Sequence, residues 1–143
     1  MPIFSWLVFL WVVIFKRREG DLDALGRHIL LELKDCNREV LNNLDLIQNV
    51  MISAAEEAGA TILEKHFHHF SPQGVSGAII IAESHLAVHT WPEYGYAALD
   101  IFTCGDSVKP EVAVEKLIKT LESKDPTVIE LKRGFLLTEA VCV

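Results

Sequence analysis

The sequence predicts an α+β fold, a two-layer sandwich whose largely antiparallel sheet carries helices on one face. Three observations point there. From Leu25 onward, short segments rich in β-formers are separated by turn residues. Two longer stretches instead repeat their apolar residues with a helical period. Strands that follow one another in hairpin-like groups, with the helices set between the groups, favour segregated layers over alternating βαβ units.

Residues 26–34 (GRHILLELK) read as the first strand, and Asp35 to Glu39 as a turn in which Asp35 or Asn37 can cap. Leu44 to Ala58 places Ile47, Val50, Met51, Ala54 and Ala58 on one stripe, and Gly59 closes this helix as a C′ glycine. Residues 60–69 form a second strand, ended by the Ser71-Pro72-Gln73-Gly74 turn. Val75 to Ala82 is a continuous apolar run, which predicts a buried strand. Ser84 to Thr90 and Tyr96 to Thr103 are two more strands, separated by a Trp91-Pro92-Glu93-Tyr94-Gly95 loop. Pro110 to Ser123 is a second amphipathic helix with Ser107 as its N-cap, and Val128 to Lys132 a last strand.

The N-terminus differs in kind. Ile3 to Phe15 is almost wholly apolar and is followed by Lys16-Arg17-Arg18. A spanning helix needs roughly 20 apolar residues, so this run is short for one. It also lacks the basic start and small-residue cleavage site of a signal peptide. Residues 1–22 therefore read as an appendage without a catalytic role, and 23–143 as the working domain. The expected location is cytoplasmic, with weak interfacial membrane association through residues 3–15.

Charge and cysteine usage narrow the function. A net charge of −7 argues against nucleic acid as a partner, since phosphate binding needs a basic face. Three widely spaced cysteines (Cys36, Cys104, Cys142) offer no CxxC pair and no disulfide framework, which suits a reducing compartment. KHFHHF places His66 and His68 on one face of a strand and His69 on the other, with no cysteine or carboxylate to complete a metal site. No metal is expected, and partly buried or interface histidines are the reading.

Glu83-Ser84-His85 opens the run ESHLAVHTWPEYGYAALDIFTCGD, with His89 five residues after the serine and Cys104 in the next strand. These are the residue types of a chain that cuts itself at a serine. A serine hydroxyl can attack the preceding carbonyl when the peptide is strained and the oxyanion is steadied. Loss of the serine α-proton to a base then expels the upstream acid, and the remnant becomes a pyruvoyl ketone. Such a ketone can take up a substrate amine and act as an electron sink, as pyridoxal phosphate does. A histidine and a cysteine suit the base and acid roles around it. Each residue also has an ordinary reading: Ser84 as a turn serine, His89 as a satisfied strand histidine, Cys104 as a small hydrophobe. In a regular strand Ser84 and His89 face opposite sides, so a bulge or cleavage is needed to bring them together. By spacing alone the ordinary readings outweigh self-cleavage.

The sequence nevertheless resembles the bacterial and archaeal S-adenosylmethionine decarboxylases over roughly Leu25 to Gly134. The resemblance is carried by LGRH at residues 25–28, by Glu57-Ala58-Gly59-Ala60, by FSPQGVSG at 70–77, by the ESH…TCGD run, and by Arg133-Gly134. It implies a self-processing, pyruvoyl-dependent decarboxylase of S-adenosylmethionine that supplies the aminopropyl donor for spermidine. Ser84 is then the pyruvoyl precursor and Glu83–Ser84 the scissile bond. His89 is the proton acceptor in processing, Cys104 the proton donor in decarboxylation, and Ser76 an aid to processing. Phe70 stacks on adenine, Glu93 accepts from the ribose hydroxyls, and Leu86 lines the same pocket. The family forms homodimers with active sites built from both subunits. Two alternatives stand beside this: a related pyruvoyl decarboxylase acting on L-ornithine or L-arginine, and a non-catalytic homologue. Phe70 and Glu93 favour the nucleoside substrate over a free amino acid.

Overall fold

The structure is a computed structural model and describes residues 24–135. The apolar run at 3–15 and the domain boundary near 23 lie outside the described residues. Among those described, no helix is long and apolar enough to cross a membrane.

Six strands form one antiparallel sheet in the order β2-β3-β4-β5-β1-β6. The strands are β1 (Ala24–Lys34), β2 (Thr61–His69), β3 (Val75–Ala82), β4 (Ser84–Trp91), β5 (Tyr96–Cys104) and β6 (Asp125–Phe135). The helices are a single turn α1 (Arg38–Leu41), then α2 (Leu44–Glu57) and α3 (Pro110–Thr120). Every central strand alternates, because successive side chains point to opposite faces of a sheet. Ile29, Leu31 and Leu33 of β1, Leu86 and Val88 of β4, and Leu99 and Ile101 of β5 are buried. They pack in one core with Ile47, Val50, Met51 and Ala54 of α2 and with Ala113 and Leu117 of α3. The predicted two-layer sandwich is the architecture found.

Local differences from the sequence reading have physical causes. β3 is buried on one face only, with Val75, Ile79 and Ile81 inside and Ile80 exposed, so an all-apolar strand here leaves apolar side chains on the open face. Asn37 caps a short helical turn, accepting from the Glu39 and Val40 amides at 3.0 and 3.3 Å. α3 starts at Pro110 after Lys109 with no side-chain cap, so Ser107 does not cap it. A proline at the first helical position removes one of the unpaired first-turn N–H groups and brings a φ already suited to the helix. β6 runs well beyond Val128–Lys132, because its backbone pairs with β1 from Lys34↔Asp125 to Ala24↔Phe135.

Among the described residues, none forms a layer over the second face of the sheet. Ile80, Trp91, Ile129 and Leu131 are exposed there. Polar and aromatic groups share this face, including His28, His85, Asp100 and Phe102 near its middle.

Candidate active site

The β3–β4 connection is very tight, since Ile81 and Ser84 are themselves a paired register position. The Ala82–Glu83 peptide is cis, and Ser84 has a φ of 106°. A positive φ at a non-glycine residue costs on the order of 1–3 kcal/mol and persists only where surrounding structure imposes it. Here the antiparallel pairing of Ser84 with both Ile81 and Thr103 does so. The departure from regular strand geometry aims the side chain toward the open face, and Ser84 Oγ lies 3.4 Å from Cys104 Sγ.

Gly26 on β1 pairs with Cys104 and makes room for it. A Cβ at Gly26 would lie 2.7 Å from the Thr103 carbonyl oxygen, 2.8 Å from the Phe102 ring and 3.0 Å from Cys104 Sγ. Sequence reading placed this glycine only in a weak motif. Its function in packing became legible once β1 was seen beside β5.

The second group lies at the other end of the sheet. Ser76 and His89 are register partners across β3 and β4, and Ser76 Oγ is 2.7 Å from His89 Nδ1. Beyond them, the loop after β2 carries Phe70, whose ring is half exposed. The Phe70 amide donates to the Gly74 carbonyl at 2.8 Å, and the Gly74 amide donates to Asn42 Oδ1 at 3.0 Å. Gln73 Nε2 donates to Glu93 Oε2 at 3.2 Å, which ties the Phe70 loop to the 3-10 turn Pro92–Tyr94. Thr90 anchors the same end from inside the core, accepting from the Val75 amide and donating to the Leu41 carbonyl, both at 2.8 Å. Asn42, Gln73 and Thr90 escaped the sequence reading, because their partners are 15 to 49 residues away in the chain.

Thus Ser84 meets Cys104, Ser76 meets His89, and Phe70 and Glu93 share one end with Ser76 and His89. The two groups do not meet within one chain. Ser84 and His89 are five residues apart on β4, which at about 3.3 Å per residue is roughly 16 Å. Leu86 is 1% exposed and packed in the core toward the helices, on the opposite face from His89. The alternation of β4 fixes this direction.

The histidines other than His89 occur in two places. His66, His68 and His69 are exposed on the edge strand β2, with His69 Nε2 3.0 Å from Asn42 Oδ1. His28, His85 and Asp100 bring three ligand-type atoms within 4.8 Å of one another. Arg133 Nη1 lies 3.3 Å from His28 Nδ1. A guanidinium can only donate, so Nδ1 accepts and Nε2 carries the hydrogen. Neither nitrogen then offers a lone pair to a cation, and Arg133 adds a positive charge beside the group. Burial, with Arg133 and His85 adding to it and Asp100 opposing, holds His28 below the ordinary histidine value of 6.5. Its buried Nε2 has no hydrogen-bond partner, with Asp100 Oδ1 at 3.9 Å. Toward the Trp91 end of the sheet, the Tyr96 hydroxyl donates to Glu32, and burial together with that carboxylate pushes the phenol up to about 12.

Comparison with known proteins gives the family of this chain. Residues 27–134 match the family model described as S-adenosylmethionine decarboxylase. The chain belongs to the S-adenosylmethionine decarboxylase family. Relatives named S-adenosylmethionine decarboxylase proenzyme include one from Thermodesulfovibrio yellowstonii, 52% identical over 79% of this chain and 84% of the relative. One from Acetivibrio thermocellus is 54% identical over 79% and 91%, and one from Thermotoga maritima 54% over 79% and 87%. The crystal structure of the adenosylmethionine decarboxylase from Aquifex aeolicus superposes with a TM-score of 0.77 at 32% identity. It covers 82% of this chain and 98% of that one.

Proposed function

We propose that this chain is a proenzyme that cleaves itself between Glu83 and Ser84, turns Ser84 into a pyruvoyl group, and decarboxylates S-adenosylmethionine to the aminopropyl donor for spermidine. The observation that carries the reading is the Ser84–Cys104 contact of 3.4 Å at a serine held at a φ of 106°. A strained backbone at the reacting residue favours the rearrangement that relieves it.

In processing, Ser84 Oγ attacks the Glu83 carbonyl carbon and the peptide nitrogen leaves it, so the amide becomes an ester. A base then removes the α-proton of residue 84, Glu83 departs as a carboxylate, and the dehydroalanine left behind tautomerises to an imine that water hydrolyses to the pyruvoyl ketone with release of ammonia. The pyruvoyl group, once formed, supplies an electron sink for loss of CO₂. Cys104, beside the same position, donates the proton that the substrate carbon needs after CO₂ has left.

The base is His89 with Ser76, and it reaches residue 84 from a second copy of the chain. About 16 Å along β4 is too far for proton transfer within one chain. A two-fold dimer packing the open faces together would set the Ser84–Cys104 end of one copy against the Ser76–His89 end of the other. The exposed Ile80, Trp91, Ile129 and Leu131 are the apolar surface such packing would cover. Phe70 and Glu93 lie at the Ser76–His89 end, so they come from that second copy too. There Phe70 would stack on adenine, and Glu93, steadied by Gln73, would accept from the ribose hydroxyls. That pair favours the nucleoside substrate over ornithine or arginine.

Intact mass under denaturing conditions, together with CO₂ release from S-adenosylmethionine, tests the reading. The purified chain should give fragments 1–83 and 84–143, the second without a free amino terminus. Ser84→Ala should remain whole, and cleavage of that variant at the same bond would refute the mechanism. Preferential turnover of arginine or ornithine would replace the substrate.

A further inference from the structure

The histidine-rich β2 has a place in this arrangement that the processing chemistry does not use. His68 pairs in register with Ser76, which pairs with His89, so the three residues form one row across β2, β3 and β4. His68 is not hydrogen-bonded into that row: Ser76 Oγ is engaged with His89 Nδ1 at 2.7 Å. Its ring contact is instead with Phe70, at a centroid separation of 4.6 Å and an interplanar angle of 76°. This is the edge-to-face geometry that aromatic quadrupoles favour.

Phe70 is in an awkward position for a binding residue. It follows the end of β2, and its ring is 46% exposed. The loop hydrogen bonds from its own amide and from Gly74 fix its backbone but not its side-chain torsions. A half-exposed ring that must present one face to a ligand loses affinity to its own rotamer freedom, and a neighbour that restricts it recovers part of that loss.

We infer that His68 is a positioning residue for the nucleoside end of the substrate, acting through the Phe70 ring. The inference rests on the adenine-stacking role proposed for Phe70. His68 packs nearly perpendicular to that ring, which leaves at least one ring face uncovered by it, and it takes no part in cleavage at Ser84.

The test uses the full-length, self-processed protein and steady-state decarboxylation of S-adenosylmethionine. His68→Ala should raise KM by about three- to tenfold, the range an aromatic pair of this geometry supports, with kcat within about twofold of wild type. The rate of self-cleavage and the melting temperature should not move. His68→Phe should restore KM, because it supplies another aromatic ring, whereas His68→Gln, which keeps hydrogen-bonding capacity without a ring, should not. In a double-mutant cycle, adding His68→Ala to Phe70→Ala should cost nothing further. Unchanged KM in His68→Ala, with Phe70→Ala impaired, overturns this inference and leaves the adenine role intact. Unchanged KM in Phe70→Ala overturns the adenine role itself. Restoration by glutamine but not phenylalanine, or slowed cleavage in His68→Ala, assigns His68 to the polar row with Ser76 and overturns its role through Phe70.

Discussion

If each active site takes Ser84 and Cys104 from one chain and His89 and Ser76 from another, two dead variants should rescue each other. Ser84→Ala removes the attacking hydroxyl, and His89→Ala removes the base. Alone, each should stay largely uncleaved. In a mixed dimer one site carries both defects, while the other has Ser84 from the His89→Ala chain and His89 from the Ser84→Ala chain. That site is chemically wild type. Random pairing of equal amounts makes about half of all dimers mixed, so about half of the His89→Ala chains should cleave in a two-fold assembly. Recovered decarboxylase activity should reach about a quarter of wild type, one working site for every four. The expectation follows from the roughly 16 Å between residues 84 and 89 along β4, several times a hydrogen-bond length. Co-expression with two different affinity tags, tandem purification and intact mass of the mixed species gives the readout. Absence of cleavage in purified mixed dimers would refute the shared site, because a site built within one chain can never be repaired by mixing.

Three further outcomes follow from local geometry. Gly26→Ala should slow decarboxylation of S-adenosylmethionine by about tenfold or more, since overpacking costs of about 1–3 kcal/mol fall on Thr103 and Cys104, 2.7 and 3.0 Å from the new carbon; unchanged turnover would show that Cys104 placement does not depend on Gly26. Leu86→Ala should lower unfolding free energy by about 2–5 kcal/mol in urea titrations, as for other fully buried leucines, with KM unaltered; a raised KM at full stability would return Leu86 to the substrate pocket. His28 is held below 6.5 in the folded chain, so the unfolded chain binds its proton first as pH falls: stability is complete above 6.5 and declines as pH drops from there toward the lower folded value. His28→Gln should flatten that decline in unfolding titrations compared at pH 7.5 and pH 5.5, and an identical slope in both proteins would assign the decline to other groups.

The sequence by itself determined which elements form. The strand alternation in Tyr96–Cys104, the helical stripe of Ile47, Val50, Met51 and Ala54, and the turn residues around Gly59 and Gly74 are local signals that burial then satisfied. The candidate reactive residues were legible too, as residue types in motifs, and so was the conflict of parity between Ser84 and His89. Tertiary structure decided how that conflict resolves. Ser84 reaches the open face through its own backbone departure, but it meets Cys104 and not His89, because β5 pairs beside it there, with Thr103 opposite Ser84, while His89 lies five residues farther along β4. Leu86 was named for the pocket through the resemblance, and the direction of its side chain, sent to the helices by the pleat of β4, is something no motif states. Asn42, Thr90 and Gly26 were invisible for the same kind of reason: their contacts join segments distant in the chain, and nothing in a one-dimensional pattern states which strand lies beside which. Sequence patterns report the local energies that each residue feels from its near neighbours. The direction of each side chain and the company it keeps depend on pairing register and layer packing, which only the folded chain fixes.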